Sequence, residues 1–316
     1  MELSFSLFHE PWWLSAVTGG RYEEAVVKNG TQLAGRFPFV TARRSGFRIS
    51  LMPPFTHVLG PIVAPGVGKP QTRLMRRLSI TRDLIDQLPS FDFFKQVFDP
   101  SVAGNLAIAD GLAFQDRGFR ISPQYTFQID AQRNPDEIWN GMNFKVRQHI
   151  RRAEARYSVS PLDDPDRFAH FYVQNLKKAK LRNRTNFRQF SLLFSECQTR
   201  QCGQILGAWD LSGEPAAMTF LVWGHGVLYY LLSTRAPDLN DNGAISLLIW
   251  SAIKHARTLG LKFDFDGVYT SGSARFMSAF GGQIAVRLIT IRTAPMYRGL
   301  QLIKQRFVPN ESEAFA

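Results

Sequence analysis

Along residues 203–292 the apolar positions change period in a fixed succession. Gly203 to Trp209, Ala216 to Trp223 and Val227 to Ser233 are mostly apolar runs of strand length, separated by Leu211-Ser212-Gly213-Glu214-Pro215 and by Gly224-His225-Gly226. Turns that short make the three runs antiparallel neighbours. The spacing then switches to three and four: Ile245, Leu248, Ile249, Ala252, Ile253, Ala256 and Leu259 share one face of an amphipathic helix. Asn240, Asp241 and Asn242 offer N-caps, Gly260 ends the helix, and Lys254, His255 and Arg257 suit the negative end of its dipole. Phe263 to Asp266 is predicted as a strand reached through a helical crossover, and therefore parallel to a neighbour. Ser273 to Phe280 reads as a short helix closed by Gly281-Gly282, and Ile284 to Ile291 as a final strand.

The first half repeats this order more faintly. Tyr22 to Val27, Leu33 to Val40 and Phe47 to Met52 form a meander with turns at Lys28-Asn29-Gly30 and Arg43-Arg44-Ser45-Gly46. Leu74 to Leu88 is a helix, Phe91-Asp92-Phe93 opens a strand as Phe263-Asp264-Phe265 does later, Val102 to Phe114 is a short helix, and Phe119 to Ile129 a closing strand. The element-for-element match predicts an internal duplication.

A helical stretch lies between the copies. Asn134-Pro135-Asp136-Glu137 combines a cap, a first-turn proline and acids at the positive dipole end. Ile138, Met142, Val146, Ile150, Ala153 and Tyr157 continue it as an apolar stripe, and helices are predicted over 165–181 and 187–199. The expected organisation is an N-terminal lobe over 1–130, a helical connecting segment over 131–202 and a C-terminal lobe over 203–316 that carries the site. Each lobe is an α/β unit, a mixed, mostly antiparallel sheet flanked by helices.

Composition changes this picture only at its edges. Apolar content of 45% and charged content of 20% describe an ordinary globular chain. No secretory leader is visible, and the longest apolar run, Thr219 to Leu232, is interrupted by Gly224-His225-Gly226, so no integral membrane segment is expected. Cys197 and Cys202 have neither zinc-site spacing nor a histidine pair nearby, so free thiols in a reducing cytoplasm are expected, and no metal. A net charge of +12 favours anionic partners: phosphate-bearing donors, nucleic acid, or the inner membrane surface.

Hydrolytic triads, phosphate-cradling GxxxxGK[ST] loops and metal-ligand spacings are not to be found. Strand alternation would send Asp264 and Asp266 to one side near a strand's C-terminal end, the usual ligand position of an open α/β sheet. One of them would act as base or orient an attacking amine; equally, Asp266-Gly267 turns the chain and Asp264 pairs or caps. The helix start at Gly243 could hold a phosphate or oxyanion on its N–H groups, or simply be capped by the Asn/Asp cluster. Lys145, Arg147, Arg151, Arg152 and Arg156 form a basic face, with Arg147 and Arg151 adjacent, that serves either for phosphates or for solvation. Lys177, Lys178, Lys180, Arg182, Arg184 and Arg188 pose the same choice where a loop could cover a cleft.

The basic helix Arg147-Gln148-His149-Ile150-Arg151-Arg152-Ala153, with the Asp264-Phe265 strand leading to Arg275-Phe276 and Phe280-Gly281-Gly282, resembles the Fem-like branch of the GNAT-type acyltransferases. That branch includes the aminoacyl transferases that build peptidoglycan cross-bridges and acyltransferases associated with exopolysaccharide synthesis. The resemblance is strongest over about residues 135–292 and implies two GNAT-like lobes. Two departures stand out. Acetyl-CoA enzymes of the wider superfamily carry [QR]xxGx[GA] before the long helix, whereas Asn240-Asp241-Asn242-Gly243-Ala244-Ile245 keeps only the first glycine. Fem-like relatives usually have Phe-Lys where this chain has Phe276-Met277.

The resemblance implies a cytoplasmic N-acyltransferase with no tightly bound cofactor, in which acyl-CoA or aminoacyl-tRNA is the co-substrate. The acceptor is an amine, on a cell-envelope or polysaccharide precursor at the inner membrane surface in one version. Asp264 and Asp266 are the catalytic candidates. Arg147, Arg151, Arg235, Asn242, Gly243, Arg275 and Phe276 are the donor- and substrate-binding candidates. The rival expectation is a catalytically inactive basic protein that binds RNA or anionic polymers.

Overall fold

The computed structural model describes residues 5–102, 104–238 and 243–299. The expected caps Asn240, Asp241 and Asn242 lie outside the described residues. The chain opens with α1 (Pro11–Thr18), β1 (Glu23–Asn29), β2 (Gln32–Phe39), β3 (Ala42–Arg44), β4 (Phe47–Ser50) and β5 (Ile62–Val63). There follow α2 (Pro70–Asp86), β6 (Phe93–Phe98), α3 (Ala107–Asp116) and β7 (Arg120–Asp130). Next come α4 (Pro135–Gly141), α5 (Phe144–Glu154), β8 (Ser158–Leu162), α6 (Pro165–Lys178) and α7 (Phe187–Thr199). The last third is β9 (Gly203–Trp209), β10 (Pro215–Gly224), β11 (Val227–Arg235), α8 (Ala244–Thr258), β12 (Lys262–Asp264), α9 (Ser271–Ser278) and β13 (Gln283–Thr293).

Two compact units divide these elements. One runs to Tyr125 and resumes at Val286; the other is Thr126–Ala285. In the first unit, β1, β2 and β5 make a small antiparallel sheet. Beside this, β3 pairs with β4, β4 runs parallel to β6, and β6 pairs antiparallel with β13. Its core gathers Phe37, Phe91, Phe94, Phe98, Phe114 and Phe119 against Leu78 and Leu84 of α2. The buried carboxylate of Asp110 on α3 receives both Nε and Nη2 of Arg77 on α2, the shortest contact being 2.7 Å.

In the second unit, β7, β12, β11, β10, β9 and β8 stand in that order, all neighbours antiparallel except β11 and β12. Helices α5 and α8 cover one face, where Val146, Ile150, Leu247, Leu248, Ile249 and Ile253 close over Leu221, Leu228, Tyr230 and Phe263. On α6 and α7, Phe168 stacks on Phe190, which meets Phe220 of β10 edge-on.

The duplicated order of elements is visible in both units, but the expected first meander is split: β2 pairs with β1 and β5, while β4 stands in another sheet between β3 and β6. Each parallel pair is flanked by the closing strand of the other copy: β6 by β13, and β12 by β7. The units therefore begin and end at places different from the expected 1–130, 131–202 and 203–316. Elements of the expected connecting segment, from α4 to α7, belong to the second unit.

Three local expectations are corrected. The stripe from Ile138 to Tyr157 is two helices, because Met142 is extended and the Asn143 side chain accepts from Lys145 N to cap a second start. The stretch 134–201 also contains β8, an edge strand carrying Pro161, whose largely exposed side chains need no apolar alternation. Arg43 and Arg44 belong to β3, and the turn is only Ser45-Gly46, both at positive φ as a two-residue hairpin requires.

Candidate active site

The parallel pair in the sheet of the second unit, β11 with β12, is short. Val227, Leu228 and Tyr229 of β11 stand opposite Lys262, Phe263 and Asp264 of β12, and there the ladder stops. β11 continues to Arg235 against β10 alone. β12 ends at Asp264, and the next amide, Phe265 N, donates to Phe127 O of β7 at 3.0 Å. The two strands thus part after Tyr229 and Asp264. Beyond that point the β12 side of β11 presents backbone groups that the ladder does not use. Its register against β10 also slips between Tyr230 and Leu232, a bulge at Leu231 that re-aims the strand.

What pulls β12 away is its own sequence. Phe263 and Phe265 both enter the core on the α8 face, with ring centroids 4.9 Å apart. Phe265 meets Phe280 at 5.5 Å and Phe280 meets Phe276 at 5.3 Å, so a ladder of rings ties the strand to α9. Alternation leaves Asp264 on the opposite face, beside Thr126 and Gln128 of β7. Thr126 Oγ1 donates to one carboxylate oxygen at 2.7 Å, and Gln128 Nε2 to the other at 2.7 Å. Asp266 N also donates to Asp264, at 2.7 Å, and Gly267 N donates to Thr126 Oγ1 at 3.1 Å. Asp266 itself has φ +68°, a left-handed backbone that a non-glycine residue adopts only at a cost, followed by Gly267 at +118°. Asp264 is 0% and Asp266 3% exposed.

The strand therefore ends before alternation can govern Asp266. The two acids are instead joined through a backbone amide. Neither Thr126 nor Gln128 was singled out in the sequence. Their signal was the polar alternation of Thr126-Phe127-Gln128-Ile129, legible only once its pairing with β12 is known.

Tyr230, the first residue past the parting, turns toward Phe263 in the core, with centroids 6.4 Å apart. Burial pushes its phenol up to about 12, against the pull of the Ser233 and Thr219 hydroxyls. Arg235 is exposed at the end of β11. Close by, Asn175 of α6 donates to Thr234 Oγ1 at 3.0 Å and Lys178 pairs with Asp238 at 2.5 Å. The basic segment 177–188 thus begins at the end of the sheet where β11 has left β12.

The other expected binding residues lie on the helical face. Arg147 donates from Nη1 to Asn140 Oδ1 at 3.2 Å, and Arg151 sits over the Trp139 ring at 5.5 Å, so both are engaged within α4 and α5. Gly243 is the N-cap of α8 at φ +72°, with no side-chain cap bond, and a Cβ there would meet His149 O at 2.5 Å. Asn242, its expected partner in holding an anion, lies outside the described residues. Arg275 and Phe276 are exposed on α9, while Met277 packs against the core, an apolar side chain where the Fem-like pattern has an ammonium. No group of three or more potential metal ligands exists among the described residues. No helix among them is long and apolar enough to cross a membrane. Cys197 and Cys202 are buried and form no disulfide.

Residues 143–276 match the family described as acetyltransferase (GNAT) domain. Comparison with solved structures finds FemX, with a TM-score of 0.67 at 13% identity over 96% of this chain and 95% of that one. The C-terminal domain of a putative lysylphosphatidylglycerol synthetase from Agrobacterium fabrum follows at 0.57, 11% identity, 95% and 93%. A further match, L-PGS from Bacillus licheniformis, gives 0.56, 11% identity, 94% and 93%. No curated protein matches the sequence. The expected resemblance to Fem-like GNAT proteins is borne out at the level of fold, with residues 143–276 matching a GNAT acetyltransferase domain.

Proposed function

We propose that this protein is an N-acyltransferase whose donor seats its activated acyl group where β11 and β12 part. The parting after Tyr229 and Asp264 is the observation that carries the reading. The donor's acyl carbonyl, and any amide next to it, can hydrogen-bond the unused backbone groups of β11 in the manner of an added strand. The acceptor amine attacks the acyl carbonyl carbon directly. The C–N bond forms, the C–S or C–O bond to the donor breaks, and the ammonium proton is lost to base or solvent, with no covalent enzyme intermediate.

Backbone N–H groups around Leu232–Arg235, next to the bulge, would hold the oxyanion as it develops. Asp264 or Asp266 would orient or deprotonate the amine. Arg147, Arg151, Arg235, Arg275 and the start of α8 at Gly243 would meet the anionic parts of donor and acceptor, with Asn242 and Phe276 completing the donor side. The likeness to FemX and to a lysylphosphatidylglycerol synthetase domain supports aminoacyl-tRNA over acyl-CoA as donor, and the departure from [QR]xxGx[GA] agrees. An amine on a cell-envelope precursor, met at the inner membrane surface, is the acceptor this reading favours.

A thermal-shift screen with acetyl-CoA, a non-hydrolysable aminoacyl-tRNA and a nucleotide-linked aminosugar tests it. A ligand at 100 times its Kd should stabilise by about 2.7 kcal/mol. Transfer of labelled acyl group to an amine must follow from whichever donor binds. A donor that binds without any transfer to amines sinks the enzyme reading. Met277 in place of the family's lysine favours the rival, a basic protein that holds RNA without acting on it. Its signature is retention on RNA that falls steeply with salt.

A further inference from the structure

We infer that Thr126 and Gln128, on β7, are positioning residues for the transfer proposed above, acting through Asp264 to fix the lip of the parted strands. The inference rests on that reading for its function and on the hydrogen-bond network for its geometry. A carboxylate only accepts hydrogen bonds. Asp264 accepts from the Thr126 hydroxyl, the Gln128 amide and Asp266 N, each at 2.7 Å. The Thr126 hydroxyl spends its single proton on Asp264 and uses a lone pair for Gly267 N at 3.1 Å. One hydroxyl therefore bridges the end of β12 to the second residue past it.

The consequence lies in the backbone. Asp266 holds φ +68°, a conformation that a non-glycine residue keeps only where the surroundings over-determine it, while Gly267 at +118° adopts its own without strain. Here the surroundings are the Asp264 carboxylate on one amide and Thr126 on the next. Without them the relaxed course for residues 265–267 is to extend. They would then continue the parallel ladder beside β11, closing the gap in which the acyl group would lie. Thr126 and Gln128 thus keep the sheet open from the β7 side, as the bulge at Leu231 does from the other.

Amide exchange over residues 264–270 tests the geometry without any substrate. Thr126→Val removes the hydroxyl's bonds to Asp264 and Gly267 at nearly constant volume, and the Gly267 amide should exchange at least 10-fold faster than in the parent protein. Thr126→Ser should restore protection to within about threefold. Gln128→Leu, which removes a donor to the other carboxylate oxygen, should give an intermediate effect at Asp266. Unchanged exchange in Thr126→Val, measured on protein whose remaining amides keep their protection, overturns the inference.

A second readout separates positioning from stability. With the donor found in the screen, Thr126→Val should lower kcat at least 10-fold at little change in KM, and Thr126→Ser should keep kcat within threefold. Equal losses in both variants overturn the positioning role. If exchange behaves as expected while no donor transfers to any amine, the network stands and the acyltransfer reading fails instead.

Discussion

The contact between α5 and α8 can be interrogated with one added methyl group. Gly243 has φ +72°, and a Cβ built there would lie 2.5 Å from His149 O, 3.0 Å from His149 C and 3.3 Å from Ala153 Cβ. Two of those atoms are helix backbone and cannot swing aside. Gly243→Ala therefore costs the left-handed backbone penalty, about 1–2 kcal/mol, and an overpacking penalty of about 1–3 kcal/mol. Gly226, in the hairpin between β10 and β11, supplies the control: φ is +83°, and a Cβ there meets nothing within 4 Å. Gly226→Ala should cost only the backbone term. At about 2–4 °C per kcal/mol for a unit of this size, Gly226→Ala should lower Tm by about 2–8 °C and Gly243→Ala by about 4–20 °C. The comparison by calorimetry is internal, since both glycines share a conformation and differ in surroundings. Equal Tm losses would mean that α5 and α8 do not meet as closely as 2.5 Å implies, and would refute the reasoning. Gly243→Ala should also weaken donor binding more than Gly226→Ala, because α8 begins where the donor's anionic part is proposed to sit.

The first unit offers a charge test. Arg77 and Asp110 are 6% and 2% exposed, and Arg77→Met would leave a buried carboxylate without its cation. A loss of about 3–5 kcal/mol in urea denaturation is expected, with the double change Arg77→Met, Asp110→Leu recovering most of it; a loss below 1 kcal/mol, roughly that of an exposed pair, would contradict the buried geometry. The second unit offers a pH test. His255 lies edge-on to Trp223 with centroids 5.1 Å apart, and burial holds its imidazole below the usual histidine range. The unfolded chain then binds the proton more readily, so this contribution to stability is complete above the unfolded pKa of about 6.5 and is lost as pH falls through the lower folded value. Denaturation midpoints at pH 7.5 and 5.5 should differ by less in His255→Phe than in the parent; an equal difference would place the titration elsewhere.

How much of this was legible in the chain follows from the range of each signal. The succession β9, β10, β11, α8, β12, α9 and β13 could be read because every element announces itself within a dozen residues, by a turn, a change of period or a cap. Helix α8 shows the limit even so: Leu247 is buried and Leu259 exposed, the reverse of what the stripe assigns. The burial of a helix face depends on the width of the sheet beneath it, which the helix does not encode. The long stripe from Ile138 to Tyr157 hid a break at Met142 for a similar reason. Asn143 N donates to Ala279 O at 2.8 Å, a partner more than a hundred residues away.

The sequence by itself determined which segments are strands and helices, that their order occurs twice along the chain, and that one strand closes on Asp264 with a second aspartate nearby. Local hydrophobic period and turn chemistry suffice for that. Tertiary structure alone decided that β7 closes beside β12 and β13 beside β6, because an alternating strand fits either sheet and only the assembled edges choose. That pairing sets Thr126 and Gln128 against Asp264. It thereby turns two acids read as neighbours on one face into a buried knot that holds the sheet open.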